Sequence, residues 1–220
     1  MNKEWQEVRE QLGEHKLTLG SVYAYQALYT PRNYLFALSR YKFASRLLPQ
    51  DKPVDVLELG CGEGIGTIML SENGHRIVAV DFDEVSINYA RENIIKPNIS
   101  FQRENFLGKN LGKFDAIVSL DVIEHIAKAQ ENVFFETISE NLNQDGFCII
   151  GTPNATAKQY ASPLSEIGHI NLYTAERLKE VMNQYFKNTF FFGMNDEVVH
   201  TGFYPMCHYL FGLGVGKIKS

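Results

Sequence analysis

The sequence predicts an α/β fold: an open, mostly parallel sheet with helices on both faces, preceded by a helical layer at the N-terminus. Two observations carry this. From Val54 onward, short β-branched runs alternate with amphipathic stretches, and strands separated by helices build parallel βαβ units. Right-handed crossovers then put helices on both faces and ligands at the carboxyl ends of the strands. The first of those runs also breaks at once into glycines, in VLELGCGEGIGT over 56–67, where a strand-to-helix turn would face a ligand. A length of 220 residues suits one main domain with a sizeable core. The division expected is a helical lid segment over 1–50 and the main domain over 51–220.

Taken in order, residues 1–50 read as helical, with Thr30 placed to cap a helix that begins at Pro31. The strands VDVLEL, HRIVAV, ISFQ, FDAIVSL and FCIIG are separated by GTIMLSENG, EVSINYARENI and QENVFFETISENL, with no helix placed between ISFQ and FDAIVSL. Gly74 and Gly146 each precede a new strand and read as helix exits. Beyond Gly151 the irregular stretch TPNATAKQYASPLSEIGHINLY is long enough to be a functional loop. A further helix, TAERLKEVMNQYF, leads to the strand NTFFFGM. The apolar tail FYPMCHYLFGLGVG reads as a last strand in the sheet, or as part of a dimer contact, so the chain is expected as a monomer or homodimer.

Composition excludes several classes. A formal net charge of −5 and a pI of about 5.7, with scattered lysines and arginines, make nucleic acid and anionic membranes poor partners. The three cysteines, Cys61, Cys148 and Cys207, are odd in number and form no CxxC pair, against a disulfide framework or a zinc site. No stretch resembles a signal peptide or a membrane span. A soluble protein of the reducing cytoplasm, acting on a small molecule, is expected.

The glycine spacing discriminates between ligands. A phosphate-binding loop needs a lysine and a hydroxyl after its last glycine; Gly66 is followed by Thr67, with no lysine. A dinucleotide turn needs its third glycine three positions after the second, and that place holds Ile65 or Thr67. What remains is acid-x-Gly-x-Gly-x-Gly, from Glu58, Gly60, Gly62 and Gly64, with a second acid, Asp81, ending the next strand.

This arrangement, from about Val54 to Gly151, resembles the class I S-adenosylmethionine-dependent methyltransferases. The resemblance implies a Rossmann-like sheet of seven strands with the last antiparallel, and S-adenosylmethionine as cofactor. It implies that the glycine turn, including Cys61, cradles the cofactor, that Asp81 holds the ribose hydroxyls and that Phe82 flanks the adenine. Asn105, beside Phe106, stands where the family usually has an aspartate that reads the adenine amino group; its amide oxygen also accepts hydrogen bonds. Leu120 or Asp121 would approach the methionine part. Arg40, in SRYKF, matches the arginine that holds the cofactor carboxylate in ubiquinone-pathway O-methyltransferases. The chemistry agrees: the cofactor carries a sulfonium and an ammonium but no phosphate, so Glu58 and Asp121 would favour it and would repel a pyrophosphate.

Methyl transfer is an in-line displacement that needs positioning and a dry pocket more than a nucleophilic side chain. Tyr23, Tyr25, Tyr29 and Tyr34 in the N-terminal helices are candidates for a lid. For an alcohol acceptor a histidine base is the natural choice. His169 in GHINLYT, with Tyr173 four residues on, lies after the fifth strand where the acceptor would enter. His125, in a Glu-His pair, is expected near the cofactor. In NDEVVHTGFYPMCHY, Asp196 and His200 are the favoured pocket residues over Glu197, Tyr204 and His208. A magnesium-assisted pattern would need an Asp-Asn pair where this chain has TPNATAKQY, so no metal is expected. The latter third resembles methyltransferases of bacterial surface-polysaccharide pathways, implying a sugar, nucleotide sugar or sugar-linked phosphoramidate acceptor. A phenolic or quinone ring is the alternative acceptor, and a non-catalytic cofactor-binding partner protein the alternative class.

Overall fold

The structure is a computed structural model and describes residues 3–161 and 167–218. Residues 162–166, within the predicted loop, lie outside the described residues. The chain opens with helices α1 (Lys3–Leu12), α2 (Ser21–Tyr29) and α3 (Pro31–Leu47). There follow β1 (Asp55–Leu59), α4 (Ile65–Leu70), β2 (Arg76–Asp81), α5 (Glu84–Asn93), β3 (Ile99–Arg103) and β4 (Phe114–Leu120). The second half holds α6 (Glu131–Asn141), β5 (Leu142–Pro153), α7 (Ala175–Met182), β6 (Phe186–Asn195), β7 (Val198–His200) and β8 (Tyr209–Lys217).

One sheet runs in the order β3-β2-β1-β4-β5-β8-β6-β7. Pairing is parallel from β3 to β5, and β8 inserts antiparallel between β5 and β6. These are the seven expected strands; β7, three residues long, adds an eighth as a hairpin on the β6 edge. The tail from Tyr209 onward is thus spent inside the sheet, with Tyr209, Leu210 and Phe211 buried, while Phe203 and Met206 before it are exposed. Because chain order reverses between β1 and β4, a crevice opens at their carboxyl ends.

Both sheet faces are covered, which is why β1 and β4 read as continuous apolar runs. On one face Tyr41, Ala44, Ile65, Leu70 and Ile87 pack against Val56, Ala79 and Val118. On the other, Phe134, Phe135, Ile138, Leu178 and Met182 pack against Leu57, Ile117 and Ile150. Two expected end signals differ. Thr30 occupies the position before Pro31, but its hydroxyl makes no capping bond; its N–H closes α2 on the Gln26 carbonyl instead. Gly146 ends no helix: it lies in β5, where an added Cβ would stand 2.9 Å from the Asp115 carbonyl oxygen. Among the described residues, no helix is long and apolar enough to cross a membrane.

Candidate active site

The glycine turn is built by backbone geometry. Gly60 has φ +80°, a region that L side chains rarely adopt, and an added Cβ there would meet Val122 at 2.3 Å. The N–H groups of Gly60 and Cys61 both bond the Val80 carbonyl, at 2.8 and 3.1 Å, which locks the turn to the end of β2. Gly62, at φ +51°, has nothing within 4 Å of its absent side chain, so this stretch of backbone faces open space. Asp81 ties the two strand ends together, its carboxylate accepting from Gly62 N at 2.8 Å and Asp83 N at 2.9 Å. Capping of α5 falls to Asp83, which accepts from the N–H groups of Val85 and Ser86. Asp81 is therefore not a helix cap; its place is the rim of the glycine turn.

Above the crevice lies a cleft of about 1010 Å³. Arg40, Gly60, Cys61, Gly62, Asp81, Phe82, Asn105, Phe106, Leu120, Asp121, His125 and His169 all line it, brought together from α3, the glycine turn and the ends of β2 to β5. Tyr23 lines it as well. Four expected site residues do not. Glu58 is buried behind the turn, where Oε2 accepts from the Thr67 hydroxyl at 2.6 Å. Burial raises its pKa to about 7 against the hydrogen bonds that lower it. Glu58 thus supports the turn from within and does not face the cleft. Gly64 lies under the turn against Phe101 and Ile94. Tyr173 is fully buried, donating to Glu131, accepting from Asn171 at 3.0 Å and lying under the Arg177 guanidinium at 4.0 Å. Its hydroxyl is a structural anchor, with burial and Glu131 raising its pKa. His200, on β7, points to Cys207 and Asn195 at 3.5 and 3.4 Å. The hairpin histidine that reaches the cleft is His208, together with Asp196.

Two polar groups not singled out from sequence shape the walls. Glu63 accepts from the N–H groups of Val22 and Tyr23 at 3.0 and 3.2 Å, capping α2 and joining the N-terminal helices to the glycine turn. A side chain at Gly20 would collide with that carboxylate at 2.3 Å. Tyr209, on β8, carries the Arg40 guanidinium over its ring at 4.1 Å. Neither leaves a sequence signal, since one partner is backbone and the other lies far along the chain.

Arg40 reaches from α3 to grip both carboxylate oxygens of Asp121 at 2.8 Å. Burial works against the guanidinium charge, but Asp121 outweighs it and holds Arg40 protonated. Asp121 itself has φ +58°, with its N–H bonded to the Gly151 carbonyl at 3.0 Å, a left-handed residue at the mouth of the switch point. Beyond it, a short turn over Ile123–His125 places Glu124 wholly inside and His125 at the surface. Burial and the charge of Asp121 raise the Glu124 pKa to about 8. The loop after β5 is pinned to this turn, Ile170 N and Asn171 N both donating to the Glu124 carbonyl. His169 thereby meets His125 edge to face, ring centres 5.1 Å apart, and burial followed by the neighbouring His125 lowers its pKa.

The cleft has acids near both ends, Asp81 and Asp121, and no lysine or arginine in its glycine turn. That fits S-adenosylmethionine: Asp81 and Gly62 would hold its ribose, Phe82 and Asn105 its base, and the Arg40–Asp121 pair its charged amino-acid end. Fold and site together define a class I S-adenosylmethionine-dependent methyltransferase domain. A family described as a methyltransferase domain matches residues 32–185, and this chain belongs to it.

Curated relatives include the ubiquinone biosynthesis O-methyltransferase of Rickettsia akari, 30% identical over 113 residues, 49% of this chain and 43% of that protein. The same-named protein of Caulobacter vibrioides is 27% identical over 137 residues, 60% and 53% of the two chains. This chain thus spans about half the length of the curated relatives it matches. Among solved structures, the methyltransferase domain of bacterial CtHen1-C matches with a TM-score of 0.67 at 19% identity, over 82% of this chain and 99% of that one. Magnesium protoporphyrin IX methyltransferase of Synechocystis PCC 6803, solved with bound SAH, gives 0.64 at 14% identity, over 97% and 94%. At these identities the structures speak to the fold alone.

Proposed function

We propose that the domain transfers a methyl group from S-adenosylmethionine to an oxygen of a small acceptor, and that the acceptor is a phenolic or quinol ring. The observation that carries the reading is the division of one cleft: a glycine turn with Asp81 at one end, and His125 and His169 beyond Asp121 at the other. When bound, S-adenosylmethionine supplies an electrophilic methyl group on a sulfonium. The chain's part is to hold the reacting oxygen in line and keep water out. Helices α2 and α3 act as the lid, fastened by Glu63 at one side and Arg40 at the other. His169 stands where a proton leaving the acceptor oxygen can be received. The aromatic walls outside the adenine end, Tyr23, Phe36 and Tyr160, favour a flat ring. The relatives named for ubiquinone biosynthesis support the same class over the matched segment.

A sugar or nucleotide-sugar acceptor is the second reading, favoured by the polar mouth formed by Lys158, Asp196 and His208. The protein is read as acting in the cytoplasm on a free small molecule, with no nucleic-acid partner. Incubation with methyl-labelled S-adenosylmethionine and parallel panels of catechols, quinols, sugars and nucleotide sugars separates the readings. Label transferred to a ring hydroxyl supports the first, and label on sugars alone replaces it with the second. Cofactor binding without transfer to any panel would favour a non-catalytic cofactor-binding protein.

A further inference from the structure

We propose that the outer face of α2 and α3 is a docking surface for helix α1 of a second copy of this chain, so that two copies exchange their first helices. Helix α1 carries Trp5, Val8 and Leu12 at i, i+3 and i+7, which is one apolar stripe. None of its ten residues is buried, and Trp5 and Leu12 are 61% and 63% exposed. A helix shorter than about 12–15 residues is marginal in water without a packed face. The stripe therefore calls for a surface that its own copy does not supply.

Helix α2 offers such a surface because it has two working faces. Tyr23 and Gln26 turn to the cleft. Tyr25, Leu28 and Tyr29 are more than half exposed, and the rings of Tyr25 and Tyr29 lie 5.1 Å apart as one platform. Leu35, on the first turns of α3, is exposed as well. Lys42 and Arg46 follow Leu35 at i+7 and i+11, on the same side of α3, and Arg32 stands at the α2–α3 corner. All three cations are exposed, and none joins an ion pair among the described residues.

Charge makes the two surfaces complementary. Residues 1–14 hold four glutamates against two basic residues, whereas residues 15–50 hold five lysines and arginines and no acid at all. Asp121 engages one of those five, Arg40, inside the cleft. An acidic amphipathic helix thus meets an apolar face edged with cations, as in helix-in-groove recognition. The same acidity disfavours an anionic lipid surface as the occupant.

The connection from α1 to α2 directs the helix away from its own copy's face. The Tyr89 hydroxyl, on α5, donates to the Thr18 carbonyl, Leu19 packs on the core, and Gly20 fits closely against the Glu63 carboxylate. Residues 18–20 are thereby held at the N-terminal end of α2, on the α5 side. Leu28 and Tyr29 lie at its other end, about 12 Å along the axis. A two-fold pair satisfies both stripes at once, since each copy gives one helix and receives one. Two such contacts also serve better than one toward the roughly 1,200–2,000 Å² of a stable interface.

A consequence for the cleft rests on the methyl-transfer reading. The partner's helix would back the face of α2 opposite Tyr23 and Gln26, so it steadies the lid over the cofactor. Cofactor binding and pairing then strengthen each other by the same factor.

The test is sedimentation of the full chain at rising micromolar concentration, together with the emission of Trp5, the only tryptophan. A monomer–dimer equilibrium is expected, with Trp5 emission shifting to the blue as dimer forms and pairing weakening as salt rises. Leu12→Glu and Leu28→Glu, both at exposed positions, should each weaken pairing by more than about tenfold with circular dichroism unchanged. A monomer at every concentration overturns the proposal. So does a blue-shifted Trp5 in a chain that stays monomeric, which would mean that α1 docks on its own copy. Pairing lost in Leu12→Glu but kept in Leu28→Glu overturns the surface on α2, and sedimentation of monomer with phosphatidylcholine vesicles replaces the second copy with lipid. Saturating demethylated cofactor should tighten pairing by at least about fivefold; unchanged pairing overturns the link to the lid. If the demethylated cofactor fails to bind while both variants disrupt pairing, the cofactor reading fails and the interface stands.

Discussion

The two ends of the cleft are made in different ways. At the glycine-turn end, the turn itself lies within 56–67 and is tied to the tip of the neighbouring strand by backbone N–H groups meeting Val80 O and Asp81. At the acceptor end, His125, His169, Asp196 and His208 come from separate loops, and tertiary hydrogen bonds from Ile170 and Asn171 to the Glu124 carbonyl and from Asn154 to the His208 carbonyl fix three of those loops. A site written in backbone geometry tolerates little change; one assembled from side chains on loops can change acceptor while keeping its donor.

The comparison breaks most readily at Gly60. Gly60→Ala should cost about 2–5 kcal/mol of stability, from a positive φ of about 1–2 kcal/mol and overpacking against Val122 of about 1–3 kcal/mol. Gly62→Ala meets no atom and should cost only the conformational part, about 1–2 kcal/mol, while weakening cofactor binding because its methyl enters the cleft. Denaturant unfolding and calorimetry of the pair check this; equal stability losses would show that the turn is not shaped as described.

At the other end, His169→Ala should lower turnover by about 10²–10⁴-fold with cofactor affinity unchanged. An equal loss in both would place His169 with the donor. Tyr173→Phe should lower stability by about 1–3 kcal/mol, since Glu131 and Asn171 lose their buried partner, and should leave turnover intact. A selective loss of turnover would return Tyr173 to the site.

The remaining effect is a pH dependence set by Glu58. Its folded pKa is raised from 4.5 to about 7, so the folded state holds this proton more tightly than the unfolded chain does. The stabilisation linked to that proton is full below about pH 4.5 and is lost as pH rises through about 7, with a slope of at most about 1.4 kcal/mol per pH unit. Stability measured between about pH 5 and 7 should fall, and Glu58→Gln should flatten the fall.

The sheet was legible because buried parallel strands are apolar throughout and their helices are amphipathic. The glycine-turn end of the cleft was legible because Gly60, Gly62 and Asp81 sit at fixed offsets from strand ends. Glu58 was misjudged for a plain reason: strand alternation turns it away from the cleft and onto Thr67. Tyr173 and His200 were misplaced because their side-chain direction depends on Glu131, 42 residues upstream, and on the β6–β7 hairpin. Glu63 left no trace, since its partners are the N–H groups of Val22 and Tyr23.

The central claim is that the bare backbone at Gly60 to Gly62 seats a cationic methyl donor. Calorimetry of the full chain with S-adenosylmethionine, its demethylated product and NAD tests it directly. One site for each of the first two and none for NAD is the predicted result; binding of NAD alone would contradict it.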